Sequence, residues 1–310
     1  MNNVENLRRQ IENVSGIVSS YSRSGAPSTL AEELSVSSFR QHLEDLRAQL
    51  GTELALRSKE IVEVGLSEQS DREPGTVPLH TLAKLANNFG QAVQQAARYR
   101  KHGTVGGPAP NDVVEAMNLR LAGLSAAAST HLYITANTGS DLFGHSLVEE
   151  SLKETFAVLR ATSAEALVDA VAVVGYSAAT AIKRLLRGIS KEGLTLEINW
   201  RSPEDKKLTW RAAPDEMRAL AASLEAFEKS GPEERSVVGK VITVSLRDPF
   251  VIETDEGEIY SASVAADVMP LVQETTVGSR ASVSMIRNRI RNKATGREKV
   301  TYTLIRVATL

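Results

Sequence analysis

The chain has 310 residues, of which 42% are hydrophobic and 24% are charged, and its formal net charge is −2. This composition is typical of a globular protein, and the length is sufficient for two domains of about 100–200 residues each. Because the chain has no cysteine, it has no disulfides, thiolate zinc sites or cysteine nucleophiles. A helix needs about 20 apolar residues to span a bilayer, and the longest largely apolar stretch of this chain is shorter. The N-terminus lacks the apolar region of a signal peptide. We therefore expect a cytoplasmic protein with no membrane partner.

The first predicted elements are two helices with narrow apolar stripes. In residues 3–20, apolar side chains recur at alternating spacings of three and four, the pattern of a coiled-coil seam: Val4, Leu7, Ile11, Val14 and Val18. A second helix is predicted over residues 29–50, with Gly51 as its C-cap. Two such helices cannot enclose a large core alone, so we expect a helical arm, residues 1–50, that packs on the rest of the chain or on another copy. The seam residues are the predicted oligomerisation site.

Residues 51–231 are predicted to form a mixed domain of helices and hairpin-like strand pairs. The expected strands are 61–66, 116–124, 130–135, 194–200 and 208–210, and the expected helices are 79–99, 146–160, 164–174, 178–189 and 214–229. The strict alternation of apolar and polar residues from Leu194 to Trp200, followed by a polar turn, predicts the clearest hairpin. Trp200 and Trp210 lie within these alternating strands, which favours core positions over base-stacking surfaces.

A change of periodicity after Ser230-Gly231-Pro232 predicts a separate C-terminal domain, residues 232–310. Five short strands are expected at 237–246, 250–254, 259–264, 281–290 and 299–307, with a short helical connection near 265–273. This order is typical of a small OB-like barrel, with an SH3-like barrel as the nearest alternative. The predicted fold class is therefore α+β: a helical N-terminal arm, a mixed α/β-hairpin central domain and a C-terminal small β-barrel.

One motif has the form of a catalytic turn. The stretch from Val173 to Ala179, in which an apolar run leads into Gly-x-Ser-x-Ala, resembles the nucleophile elbow of α/β-hydrolases. That fold places its catalytic histidine after the serine, whereas all five histidines of this chain precede Ser177. The flanking residues are rich in alanine, so two helices joined at Gly175-Tyr176-Ser177 are the preferred interpretation.

The sequence contains few other candidates for a metal-binding or catalytic site. The histidines show no metal-ligand spacing, and the acidic pairs lie on predicted helices or turns, where solvated faces are common. His131 and Tyr133 share one face of a predicted strand, but a lone strand histidine is more often only hydrogen-bonded. We therefore predict no catalytic residue, no metal site and no cofactor.

The C-terminal segment from Arg280 to Leu310 is strongly basic. It carries eight Lys or Arg and one acid, so it has a charge of about +7 within a chain of net charge −2. Arg287, Arg289 and Arg291 alternate at a period of two and should share one side of a strand. Further basic residues cluster at the predicted turn that follows: Lys293, Arg297 and Lys299. Arginine side chains at this spacing suit contact with phosphate oxygens.

The leading functional hypothesis is a non-catalytic, oligomeric protein that binds nucleic acid through the phosphate backbone. Its predicted contacts are Arg287, Arg289, Arg291, Lys293, Arg297 and Lys299. The alternative is a scaffold or adaptor whose helical arm and basic ribbon, the segment from Arg280 to Leu310, bind a protein partner or another copy of the chain. In that case the ribbon meets an acidic partner, such as residues 1–279 of a neighbouring copy. Without such a ligand, the ribbon is a solvated hairpin or docks on acidic residues of its own chain. A third hypothesis is an enzyme with an unrecognised carboxylate or serine site.

Overall fold

The computed structural model describes residues 3–23, 29–57, 59–68, 76–103, 107–126, 129–137, 146–204, 206–245 and 249–310. Contacts divide the chain into two compact units, Met1–Glu60 and Ile61–Leu310. The fold is mixed α and β, and it contains the small closed barrel that the C-terminal pattern predicts.

The first unit is a pair of helices, α1 (Asn3–Arg23) and α2 (Leu30–Arg57), that pack against each other. Of the predicted seam, Leu7 is buried, Ile11, Val14 and Val18 are half-buried, and the side chain of Val4 lies outside the described residues. The prediction that the second helix ends at Gly51 is wrong. Strong helix formers follow this glycine, and together they outweigh its cost of about 1 kcal/mol within a helix.

The second unit begins with a five-stranded sheet whose strand order is β2-β3-β1-β4-β5. These strands are β1 (Glu60–Glu68), β2 (Arg120–Ala126), β3 (Thr130–Ala136), β4 (Leu194–Arg201) and β5 (Lys207–Ala212). The accompanying helices are α3 (Leu79–His102), α4 (Asn111–Met117), α5 (Leu147–Leu159), α6 (Ala164–Val174), α7 (Tyr176–Lys191) and α8 (Pro214–Glu225). One face of the sheet shares the main hydrophobic core with these helices, and the predicted hairpin of β4 and β5 is confirmed.

The predicted strand at 116–124 starts too early. Residues 111–117 form α4 instead, because Val113 and Met117, one helical turn apart, are both fully buried on one side of it. Asn118 ends this helix in a left-handed conformation with φ of 42°, a conformation that asparagine tolerates better than most residues. The strand then begins at Arg120.

The C-terminal barrel consists of five strands that close on themselves, with one short strand added at the edge. The short strand is β6 (Phe227–Lys229), and the barrel strands are β7 (Glu233–Thr243), β8 (Phe250–Thr254), β9 (Ile259–Val264), β10 (Arg280–Asn292) and β11 (Glu298–Thr309). Helix α9 (Met269–Gln273) lies between β9 and β10. Strands follow the order β11-β9-β8-β7-β10, and β10 pairs with β11 to close the ring; β9 and β11 are parallel. The barrel has its own core, which includes Val241, Phe250 and Met285.

The predicted helix at 214–229 is too long at its C-terminal end. Helix α8 stops at Glu225, and the next residues form β6, which pairs with the end of β10. Phe227 is 4% exposed and belongs to the main core, so burial and strand pairing override the helical pattern of this segment.

Helices α6 and α7 meet at Gly175, as the helix-pair interpretation predicts, and the bend between them is 117°. Gly175 has a φ of 84°, and a Cβ at this position would lie 2.7 Å from Cγ of Tyr99. Within the described ranges no helix taken alone is long and apolar enough to cross a bilayer; only α6 and α7 counted together are.

Replacing Gly175 with alanine should lower the free energy of unfolding by about 1–3 kcal/mol, because alanine is strained in this backbone region and its methyl group would press on Tyr99. Urea unfolding measures the change. Gly188, inside α7, is the matched control, since an added Cβ there meets nothing within 4 Å. Gly188→Ala should stabilise by about 0.4–1 kcal/mol. Equal effects of the two substitutions would contradict the assignment of strain to Gly175.

Candidate nucleic-acid interface

The predicted basic ribbon is the hairpin of β10 and β11, and the two faces of β10 have different environments. Near the start of the strand, Ala281, Val283 and Met285 point into the barrel core. A bulge between Ser284 and Met285 in this pairing shifts the register. Beyond it Ile286, Asn288, Ile290 and Asn292 are buried, whereas Arg287 and Arg289 are half-buried and Arg291 is exposed. The three arginines therefore share one side of the strand, as their spacing predicts.

The buried side of the hairpin docks on the helices of the same unit. Asn288 Nδ2 donates a hydrogen bond to the carbonyl oxygen of Gly103 at 3.2 Å. The hydroxyl groups of Tyr99 and Thr301 lie 3.0 Å apart, and Ile290 belongs to the main core. Burial raises the pKa of Tyr99 despite this hydrogen bond. These contacts hold the ribbon as an ordered part of the unit.

The opposite side of the hairpin is the surface we call the arginine face. Residues directly opposite each other in paired strands share a side. In the register of β10 with its neighbours, Arg287 lies between Glu233 and Tyr302, Arg289 lies beside Val300, and Arg291 lies between Glu228 and Glu298. The arginine face is therefore Arg287, Arg289 and Arg291 with Glu228, Glu233, Glu298, Val300 and Tyr302.

Most cations of this region are paired with carboxylates. Arg287 Nη1 lies 2.9 Å from Glu233, Arg289 Nε lies 3.4 Å from Glu298, and Lys293 Nζ lies 2.8 Å from Glu228. The hydrogen bond to Glu233 raises the pKa of Arg287, and that to Glu228 raises the pKa of Lys293. Of the six predicted contacts, Arg291 alone has no carboxylate within ion-pair distance among the residues that the structure describes.

Arg297 and Lys299 contact α6. Arg297 Nη1 lies 3.2 Å from Glu165, and Lys299 Nζ lies 2.7 Å from Asp169. Both acids are on α6, so these two cations attach the ribbon to a helix of the same chain. This is internal pairing, in which the ribbon docks on acidic residues of its own chain.

An arginine that the sequence interpretation missed lies at the barrel end of the arginine face. The guanidinium carbon of Arg235, on β7, lies 4.9 Å from the ring centroid of Tyr260, and the rings of Tyr260 and Tyr302 meet edge to face at 5.4 Å. Glu258 accepts hydrogen bonds from Arg235 and Tyr260, and the bond from the phenol raises the pKa of Tyr260. Because the predicted strand began only at Val237, Arg235 fell outside the pattern; the alternation of Glu233, Arg235 and Val237 was the available signal.

Small-molecule binding has little support near this surface. A hollow of about 220 Å³, including open solvent, lies where β6 and β10 meet the joint of α6 and α7, lined in part by Tyr99, Tyr176 and Lys229. Most of this volume is open solvent, so the hollow encloses little space for a ligand. In the part of the chain described above, no group of three or more His, Asp or Glu side chains is placed to hold a metal ion.

No protein-family model, curated protein or solved structure matches this chain.

Proposed function

We propose that this protein binds nucleic acid without catalysing its cleavage, and that the arginine face contacts the phosphate backbone. The observation that carries the proposal is the placement of Arg287, Arg289 and Arg291 along one side of an ordered strand, with Arg291 unpaired among the described residues. Arginine forks match phosphate oxygens, and a rigid strand presents them without a large ordering cost.

The carboxylates on the arginine face do not rule out this role. The Arg289–Glu298 pair leaves 40% of each side chain exposed. Exposed pairs of this kind contribute only about 0–1 kcal/mol, so a phosphate group can displace the acid at small cost.

The order of strands supports an OB-like identity for the barrel, which we include in the proposal. Three strands, a helical connection and two further strands follow one another, and the third and fifth strands lie side by side. OB-folds bind oligonucleotides partly through the loop between their fourth and fifth strands. In this chain that loop, residues 293–297, begins with Lys293 at the edge of the arginine face and ends with Arg297.

Binding of short single- and double-stranded oligonucleotides at low salt tests the proposal directly. The double substitution Arg289→Glu and Arg291→Glu should weaken binding by about tenfold or more, because two phosphate contacts become repulsive. The absence of binding at low salt, or an unchanged affinity of this variant, would overturn the proposal.

A second proposal is self-association through α1, and the half-burial of Ile11, Val14 and Val18 favours it. These seam side chains remain partly exposed although α1 packs on α2. We expect light scattering of the full chain to give a mass above that of a monomer. Ile11→Lys and Val14→Lys together should reduce that mass to the monomer value. A monomeric full chain at micromolar concentration would contradict self-association, and it would leave the nucleic-acid proposal intact.

A further inference from the structure

On the polar side of the first sheet, the side chain of a serine contacts that of a histidine, which in turn contacts that of a glutamate. Ser129 lies directly before β3, and His131 is the second residue of that strand. Ser129 Oγ lies 2.5 Å from His131 Nε2, and His131 Nδ1 lies 2.8 Å from Glu63 Oε1 on β1. All three belong to the second unit, and they lie on the sheet face opposite the main core.

Neighbouring residues fix this arrangement. The Tyr133 hydroxyl donates a hydrogen bond to Glu63 Oε1 at 3.3 Å, and burial, followed by the charge of Glu63, raises the pKa of Tyr133. Gly65 leaves room for the imidazole, since a Cβ there would lie 3.2 Å from His131 Cε1. The side chains of His131 and Glu63 are about one-third exposed, at 31% and 30%, so a ligand can reach them from solvent.

The chemistry of the three groups is complementary. A carboxylate beside Nδ1 favours the imidazole tautomer with hydrogen on Nδ1, which leaves the lone pair of Nε2 facing the serine hydroxyl. Glu63 lies to one side of the N–H direction, so its contact with Nδ1 is electrostatic and not a hydrogen bond. A serine whose hydroxyl hydrogen-bonds to a base, with that base oriented by a third group, is the general signature of an activated nucleophile.

We infer that Ser129 is an activated nucleophile that accepts an acyl group from an ester, with His131 as its general base. Ser129 Oγ forms a bond to the ester carbonyl carbon while its proton moves to His131 Nε2. The carbon–oxygen bond to the leaving alcohol then breaks, and the alcohol takes the proton from Nε2. Hydrolysis of the acyl-serine by water, with the same base, restores the hydroxyl group and releases a carboxylic acid. Glu63 is a positioning residue that acts through His131.

A fluorophosphonate probe tests the inference, because it reacts covalently with activated serines and releases fluoride. Intact-mass measurement should show one adduct on the full-length protein, and peptide mapping should place it at Ser129. Ser129→Ala should remove the adduct. His131→Gln should slow labelling by about 100-fold or more, as expected when a general base is lost. Ser261, exposed on β9, is the matched serine and should remain unlabelled.

Labelling of Glu63 variants distinguishes a role of Glu63 in positioning His131 from a role in packing alone. Glu63→Gln should slow labelling at an unchanged melting temperature, and Glu63→Asp should restore part of the rate. Circular dichroism of each variant identifies any that fail to fold. Ser129→Ala removes only one hydroxyl group, so it should fold and still show whether the adduct depends on Ser129. The absence of an adduct on the wild-type protein, equal labelling of Ser261, or wild-type labelling of a folded His131→Gln variant would overturn the inference.

Discussion

Raising the salt concentration from about 50 mM to about 200 mM should weaken binding of a single-stranded oligonucleotide by roughly 20- to 50-fold, the change expected for three or four phosphate contacts. The contacts are the three arginines of the arginine face and Lys293. Each neutralised phosphate releases condensed counterions, and this release becomes less favourable as salt rises. Fluorescence anisotropy of a labelled oligothymidine over a salt series measures the slope.

Substitutions on the arginine face should change this slope in a defined way. Arg289→Glu with Arg291→Glu should lower its magnitude by about 1.4, because two contacts are lost at about 0.7 each. The matched control is Lys240→Glu with Arg306→Glu, two exposed residues outside the arginine face, which changes the net charge equally. If both variants bind equally, only net charge matters and the arginine face is not the interface.

The acids that pair with the arginines provide a test in the opposite direction. Glu233→Gln and Glu298→Gln remove the carboxylates that a phosphate must displace from Arg287 and Arg289. The double variant should therefore bind more tightly, by about two- to tenfold, since each exposed pair contributes about 0–1 kcal/mol. Weaker binding by this variant would show that Glu233 and Glu298 hold the arginines in the binding geometry and do not compete with the ligand.

The fold could be predicted where periodicity alone decides the structure. Strand β4 alternates strictly from Leu194 to Trp200, so its position and pairing with β5 followed from the sequence. Strand β6 could not be predicted, because its three residues become extended only by pairing with β10, about sixty residues later in the chain. The sequence pattern of residues 227–229 contains no information about a strand that lies so far along the chain.

The candidate interface could be predicted in the same partial way. The period of two places Arg287, Arg289 and Arg291 on one side of a strand, and this follows from strand geometry. The partners of the cations depend on tertiary contacts: Lys299 meets Asp169, which is 130 residues away in the chain. The contact of His131 with Glu63 likewise needs β1 and β3 to be neighbours in the sheet.

Replacing Trp200 with alanine should lower the free energy of unfolding by about 3–5 kcal/mol. Trp200 is 2% exposed on β4, between Val62 of β1 and Leu208 of β5, and its removal leaves a large cavity in the main core. For a unit of this size, the melting temperature should fall by roughly 6–20 °C. Thermal unfolding followed by circular dichroism measures the change.

Trp210→Ala is the matched control, because Trp210 lies on the edge strand β5 and is only half-buried. Its effect should be smaller, about 1–2 kcal/mol, since less apolar area is lost from the core. Measured well below the melting temperature of Trp200→Ala, both variants should bind oligonucleotides within about twofold of wild type, whereas base–aromatic stacking contributes about 1–3 kcal/mol per base. If a folded tryptophan variant loses tenfold or more in affinity, the nucleic-acid interface lies on the first sheet and not on the arginine face. A loss of stability with unchanged affinity would instead show that the two tryptophans stabilise the fold and do not contact the nucleic acid.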